Sequence, residues 1–430
     1  MSKLALLGGR PVSRKGFTSY NSIGREEQNA AVKVMRGKVL SAFVARAGEH
    51  FLGGKYVKGF ERMFCNYFNV KYAVSFNSAS TALQAAVGAL GIGPGDQVIT
   101  SPFTMSATAS AVLFNNALPV FADIDENNFC LDPRSVEINI TEKTKAILAV
   151  NLSGGTPDYD SIIKIAKKNN LKIIEDNAQA PGATYKGKYT GTIGDIGVFS
   201  FNFHKTIQCG EGGVLVTNNK GYALRAQLIR NHGEVVMDDL IGNSQKDEPI
   251  LGNNFRLTEL QAAIAIEQLK KLKKLNEQRI ALADYLTGKL KKFSWLVAPQ
   301  VSREDKHVYY VYSLRFLENI IGVSREVFAT AMLAEGFIVN QGYQKPLYLL
   351  PIYQNKEIYP NSKFPFVSKD YPQNVVYDKG ICPVAERMYE HEYVGVTICQ
   401  PPKTKKTVDL FVQALKKIEE NVEALKNYGK

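Results

Sequence analysis

Between residues 72 and 217 the chain alternates short apolar runs with segments of helical period. The runs predict strands at 72–76, 97–101, 118–124, 145–151, 171–176, 196–201 and 214–217. Several, such as AILAV and VLFNNALPVFADI, are continuously apolar, which indicates strands covered on both faces: an α/β fold with a mostly parallel sheet between helices. Ligands in such sheets sit at the carboxyl ends of the strands. Helical spacing predicts helices over 25–35, 57–68 and 81–90, and Thr258-Glu259-Leu260-Gln261 reads as a capping box opening a long helix. Beyond residue 279 follow a strand-like run (309–316), a helix (327–336), a stretch rich in Tyr and Pro (343–383) and a final amphipathic helix. The expected division is an amino-terminal arm (1–24), a large domain (25–270) and a smaller α+β domain (271–430) joined by the long helix.

Four features of the large domain carry chemistry. Asn77-Ser78-Ala79-Ser80 lies between a strand and a helix, where free N–H groups and the helix dipole favour phosphate; Ser is also a routine cap there. Asp176 ends an apolar strand, where a carboxylate pairs with a protonated ring nitrogen or caps the next helix. In FSFNFHKTIQCGEGG, Ser200 and Lys205 flank the end of a strand, supplying a hydroxyl for phosphate and an amine for an aldehyde. GNNFR at 252–256 is an irregular polar loop ahead of the capped helix.

Composition narrows the class. At 430 residues two domains of unequal size are expected, and 45% hydrophobic with 22% charged residues is ordinary for a globular protein. No apolar run reaches the ~18 residues of a membrane span, and MSKLALLGGRPVSRKG lacks a signal-peptide core, so a cytoplasmic enzyme without membrane partners is expected. The five cysteines are odd in number and never paired as CxxC, and the histidines are scattered, so neither a disulfide framework nor a metal site is expected. The net charge of +12 fits an anionic partner; because much of the lysine is interleaved with glutamate on helix faces, a phosphorylated small molecule is expected rather than nucleic acid.

The order of these features, phosphate turn, strand-end acid, then lysine after a strand, resembles the pyridoxal-phosphate sugar aminotransferases of the DegT/StrS family. The likeness runs through GIGPGDQVITSPFTMSATASAVLFNNALPVFADID, KTKAILAVNLSGGTPDYDSI, IIEDNAQAPGATYKGKYTGTIGD, FSFNFHKTIQCGEGG, RNHG and GNNFRLTELQAAIAIEQL. It implies fold type I of the pyridoxal 5′-phosphate enzymes, a homodimer with shared active sites, and ping-pong transfer from glutamate or glutamine to a keto sugar or keto-cyclitol. By the same resemblance Lys205 is the Schiff-base lysine and Asp176 faces the pyridine nitrogen. Gln179 contacts the phenolic-oxygen side of the ring, Ala79, Ser80 and Ser200 bind phosphate, and Asn254 reaches the partner subunit's cofactor phosphate.

The chain departs from the family pattern in places. Met105 stands where many relatives stack an aromatic ring on the cofactor, and a thioether also lies against a π face. Asn151 replaces a usual histidine, which bears on the substrate side of the pocket, and Asn177 replaces a common alanine. A dehydratase branch carries histidine instead of the lysine, but alignment outward from FSF and GEGG puts Lys205, not His204, at that position. The alternatives are that dehydratase chemistry or a non-catalytic regulatory role. Substrate selectivity is expected from the loop 234–251 and from the Tyr/Pro-rich stretch.

Overall fold

The computed structural model describes residues 2–14, 16–236, 250–372 and 374–428. Seven strands form the central sheet: β1 (Tyr72–Phe76), β2 (Gln97–Thr100), β3 (Leu118–Phe121), β4 (Thr144–Val150), β5 (Lys172–Asp176), β6 (Ile196–Ser200) and β7 (Gly213–Thr217). Their spatial order is β1-β7-β6-β5-β4-β2-β3. β6, β5, β4, β2 and β3 pair in parallel, whereas β7 is antiparallel to both β6 and β1. The reason is local: β6 and β7 are joined directly by the loop 201–212, which holds no helix, and a direct connection returns the chain antiparallel, whereas a parallel return takes a crossover, usually helical. Every residue of β2, β3, β6 and β7 is buried, in keeping with their mainly apolar composition.

Helices α1 (Arg25–Gly37), α2 (Lys55–Phe68) and α3 (Ala79–Ala89) precede a long α4 (Glu259–Leu290). Thr258 caps α4 by accepting from Gln261 N–H, while the Gln261 side chain returns to Thr258 N–H, as its sequence predicts. Leu269 and Leu272 of α4 pack with Phe60, Phe64 and Phe68 of α2, whereas Leu282, Leu286 and Leu290 enter a second core. That second core underlies a four-stranded sheet, β8 (Leu296–Val297), β9 (Tyr312–Phe316), β10 (Asn340–Gln341) and β11 (Tyr393–Val396), in the order β8-β9-β11-β10. Leu4 of the arm is buried in this second core, and Glu335 holds the arm through the N–H groups of Ala5 and Val12.

Two segments depart from expectation. The strand expected from residue 309 begins only at Tyr312, because Val308 and Val311 donate to the carbonyls of Gly154 and Ser153, tying this segment to the loop after β4. Most of the Tyr/Pro-rich stretch covers the sheet edge: Tyr348, Tyr353 and Tyr377 ring Phe121 of β3 at 5.3 to 5.9 Å between centroids. Most of the loop expected at 234–251 lies outside the described residues.

Candidate active site

At the carboxyl ends of the central strands a cavity of about 590 Å³ opens between the two sheets. Ala79, Ser80, Met105, Asp176, Gln179, Ser200 and Lys205 all line it, so seven of the eight residues singled out in the sequence converge. Asn254 does not; it is exposed, on the loop preceding α4.

Each wall has a local cause. Ser78 is extended and accepts from Thr81 N–H at 3.1 Å, which starts α3 and leaves the N–H groups of Ala79 and Ser80 without intrahelical acceptors. Asp176 closes β5, where Thr108 Oγ1 donates to Oδ2 at 2.9 Å and Ala178 N–H donates to Oδ1 at 3.1 Å. Burial pushes its carboxyl above the ordinary range; those two bonds and the nearby Lys205 charge oppose the shift. Lys205 lies in the 201–212 loop, with its Nζ 4.8 Å from the Tyr310 ring centroid. Burial brings its ammonium down to about 8, against the pull of Asp176.

Gln179 is held at both ends: Ser153 N–H donates to its Oε1 at 2.8 Å and its Nε2 donates to Tyr343 Oη at 2.9 Å. The Ser153 hydroxyl in turn accepts from Ser313 at 2.7 Å. Asn151 is buried, with its Nδ2 donating to Asn177 Oδ1 at 2.9 Å; these two departures from the family pattern therefore pair with each other behind the cavity wall instead of lining it. His204 reaches the cavity beside Lys205, with burial and the lysine's charge lowering its basicity.

An amine, a buried carboxylate and a helix start flanked by hydroxyls in one cavity is a donor set for a phosphorylated aldehyde with a basic ring. The sequence profile of the DegT/DnrJ/EryC1/StrS aminotransferase family matches residues 38–398. The chain belongs to this family. It is 31% identical over 434 residues to L-glutamine:scyllo-inosose aminotransferase of Streptomyces griseus, covering 98% of each chain. It is 37% identical over 301 residues to GDP-perosamine synthase of Caulobacter vibrioides, covering 70% of this chain and 79% of that one. Among solved structures, the aminotransferase from Psychrobacter cryohalolentis superposes with a TM-score of 0.81 at 27% identity, covering 95% of this chain and all of that one.

The aminotransferase cavity also contains residues that sequence reasoning passed over. Tyr310 sits in an aromatic run that reads as strand, and Tyr343 reads only as the first residue of the Tyr/Pro-rich stretch. Thr108 stands behind Asp176 and holds its carboxylate. Only contacts between segments far apart in the chain give the three their places.

The low proton affinity of Lys205 has a measurable consequence. In the cofactor-free aminotransferase an amine-reactive probe will label Lys205 with a midpoint near pH 8, well below the ordinary lysine value of 10.5. The unfolded chain binds the extra proton between those two values, so this group's cost to stability falls as pH rises through the window. A labelling midpoint at the ordinary lysine value would contradict the desolvated amine.

Proposed function

We propose that this aminotransferase binds pyridoxal 5′-phosphate in the Lys205 cavity and moves an amino group from glutamate or glutamine to the carbonyl of a keto sugar or keto-cyclitol. The observation that carries this reading is the convergence of Lys205 and Asp176 on one cavity beside the start of α3. The full-length similarity to an enzyme named for glutamine and scyllo-inosose supports the donor and the cyclitol acceptor; the similarity to GDP-perosamine synthase supports a nucleotide-linked keto sugar.

When bound, the cofactor supplies an electron sink for the pair left by a departing proton. The chain's residues do the rest. Asp176, already oriented by Thr108 and Ala178, pairs with the ring nitrogen and keeps it protonated. The N–H groups of Ala79 and Ser80, with the Ser200 hydroxyl, hold the phosphate. Gln179, anchored by Ser153 and Tyr343, would border the phenolic oxygen, and Met105 would lie against the ring. Lys205 is the residue that would hold the cofactor's aldehyde carbon through Nζ, the carbonyl oxygen leaving as water, and its amine when free would take and return a proton, a task suited to an amine whose pKa is near the working pH. Substrate selectivity in this reading falls to Asn340 and Gln341 of β10, to Gly342, Tyr343 and Gln344 just after it, and to Tyr393 of β11, all of which line the cavity.

A homodimer completes the site. Asn254 is exposed and away from its own cavity, and α1 and the segment after it expose Val32, Met35, Val39, Leu40 and Val44, apolar surface suited to a second copy. Mixing inactive Lys205→Ala and Asn254→Ala chains should restore activity in the heterodimer if each site borrows Asn254 from the partner. Among the described residues no helix is long and apolar enough to cross a membrane, and all five cysteines are free, which supports a cytoplasmic setting.

The deciding experiment loads the purified protein with cofactor, adds glutamate or glutamine, and follows the loss of the visible band. Keto sugars and keto-cyclitols are then tested for its return. No spectral change with either donor would refute the reading.

Gly213 offers an independent check on the phosphate position. A Cβ there would lie 2.5 Å from Ser78 O and 2.6 Å from Ala79 N, backbone atoms that no rotamer change can clear. Such overpacking costs ~1–3 kcal/mol and falls on the phosphate turn. Gly213→Ala is therefore expected to weaken cofactor binding by about tenfold or more, since ~1.4 kcal/mol is tenfold. Absorbance titration measures it, and unchanged affinity would place the phosphate elsewhere.

A further inference from the structure

We propose that Tyr20 of the amino-terminal arm and Arg279 of α4 are positioning residues for Lys205, clamping the residue that follows it. Tyr20 Oη donates to the Thr206 carbonyl, and Arg279 Nη1 donates to Thr206 Oγ1. The guanidinium centre lies 4.5 Å from the Tyr20 ring centroid, so the two clamp arms also hold each other. A second tie lies two residues on: Gln268 Oε1 accepts from Gln208 N–H at 3.1 Å and from Ser22 Oγ at 2.6 Å. Gln268 Nε2 returns to the Ser22 carbonyl at 2.9 Å and to Glu27 at 2.8 Å. Arm and long helix together therefore grip the chain just after the lysine.

On the other side the ties are to near neighbours in the chain: Lys205 N–H donates to the Asn202 carbonyl at 2.9 Å and Asn202 Nδ2 donates to Glu211 at 2.8 Å, while Phe203 is 67% exposed and His204 is exposed too. The placement of Lys205 Nζ thus depends on the clamped side. Arg279 is completely buried, and its Nε and Nη2 have no hydrogen-bond partner among the described residues. Its charged neighbourhood holds Tyr20, Tyr310 and Lys403, while Lys205 meets Asp176, His204 and Tyr310. Burying an incompletely satisfied cation is costly, and an apolar side chain would fill the same space without that cost. The return is a fixed Thr206, hence a fixed amine.

This inference rests on Lys205 being the reactive amine of the proposed function. Borohydride reduction of the wild-type holoenzyme followed by peptide mapping tests that assumption separately: a label on another lysine would refute the proposed function, whatever the clamp does. The clamp itself is tested with Tyr20→Phe, Arg279→Met and Arg279→Lys. Misplacing a reacting group by about 1 Å costs on the order of 10²-fold. Tyr20→Phe and Arg279→Met are therefore expected to lower kcat by tens of fold with KM for the amino donor little changed, with Arg279→Lys recovering part of the loss.

Two further readouts distinguish positioning from mere stability. The isotope effect with α-deuterated donor will rise as proton transfer becomes limiting. In the cofactor-free variants the labelling midpoint of Lys205 will move up from about 8 toward 10.5, as the loosened amine reaches water. Tyr20→Phe removes a single hydroxyl and carries the test if Arg279→Met does not fold. A Tyr20→Phe protein with wild-type isotope effect and wild-type labelling midpoint would overturn the clamp, even if its thermal midpoint fell.

Discussion

Lys205→Ala will lower amino transfer by at least about 10⁴-fold, the upper range for a positioned acid–base group, because in the proposed function the same atom also holds the cofactor. The protein should still fold. Lys205 makes no salt bridge among the described residues, its Nζ packs on the Tyr310 face, and its ammonium is disfavoured by burial, so its removal costs little stability. The visible band of the bound cofactor should vanish or shift while phosphate-dependent binding persists, because Ala79, Ser80 and Ser200 are untouched. Absorbance spectra and single-turnover assays with glutamate measure both effects. Adding a small primary amine should restore part of the activity, since the missing group is then supplied from solution. A variant that kept its band and more than a tenth of its activity would remove Lys205 from the mechanism.

Asp176→Asn will lower kcat by about 10²- to 10³-fold, the size expected when one preorganised charge is lost from a dry site. Here the loss is of charge rather than of shape. Asparagine can accept from Ala178 N–H through Oδ1 while its Nδ2 donates to Thr108 Oγ1, a hydroxyl that accepts as well as donates, so the side chain stays in place. A neutral amide does not keep a ring nitrogen protonated, and the electron sink weakens. The thermal midpoint of the cofactor-free protein should not fall far, because the cost of burying a carboxylate disappears with it. Nitrogen-15 NMR of labelled cofactor reads the ring protonation directly. A ring still protonated in Asp176→Asn would assign that proton to another group. Combined with Lys205→Ala the two losses should fall well short of additive, because both residues serve one proton transfer.

Much of this architecture is legible in one dimension. The strands at 72–76, 97–100, 172–176 and 196–200 fall where short, mainly apolar runs place them, because a strand covered on both faces has little room for polar positions away from its ends. The Thr258–Gln261 box marks the start of α4 to the residue, since capping is a contact between neighbours in sequence. The order of phosphate turn, acid and lysine is likewise a sequence property, and seven of the eight residues it selected line one cavity.

What the chain alone left open are the contacts between distant segments. The antiparallel return of β7 follows from the short 201–212 connection, yet apolar composition reads the same in either direction. Of the Tyr/Pro-rich stretch, read as a selectivity element, Tyr343 and Gln344 line the cavity, while Tyr348, Tyr353 and Tyr377 seal the edge of β3, because an uncovered sheet edge must be closed by something. Asn151, expected at the substrate side, found its partner in Asn177 and left the cavity wall. The arm read only as a segment ahead of the large domain; its Tyr20 meets Thr206 and Arg279 beside the lysine. By itself the sequence determined the strands, the caps and the reactive residue types, all set by period and by near neighbours. The tertiary structure decided which tyrosines, serines and buried cations stand around the lysine, because a hydrogen bond between residues 20 and 206 depends on how the whole chain packs and leaves no mark at either position alone.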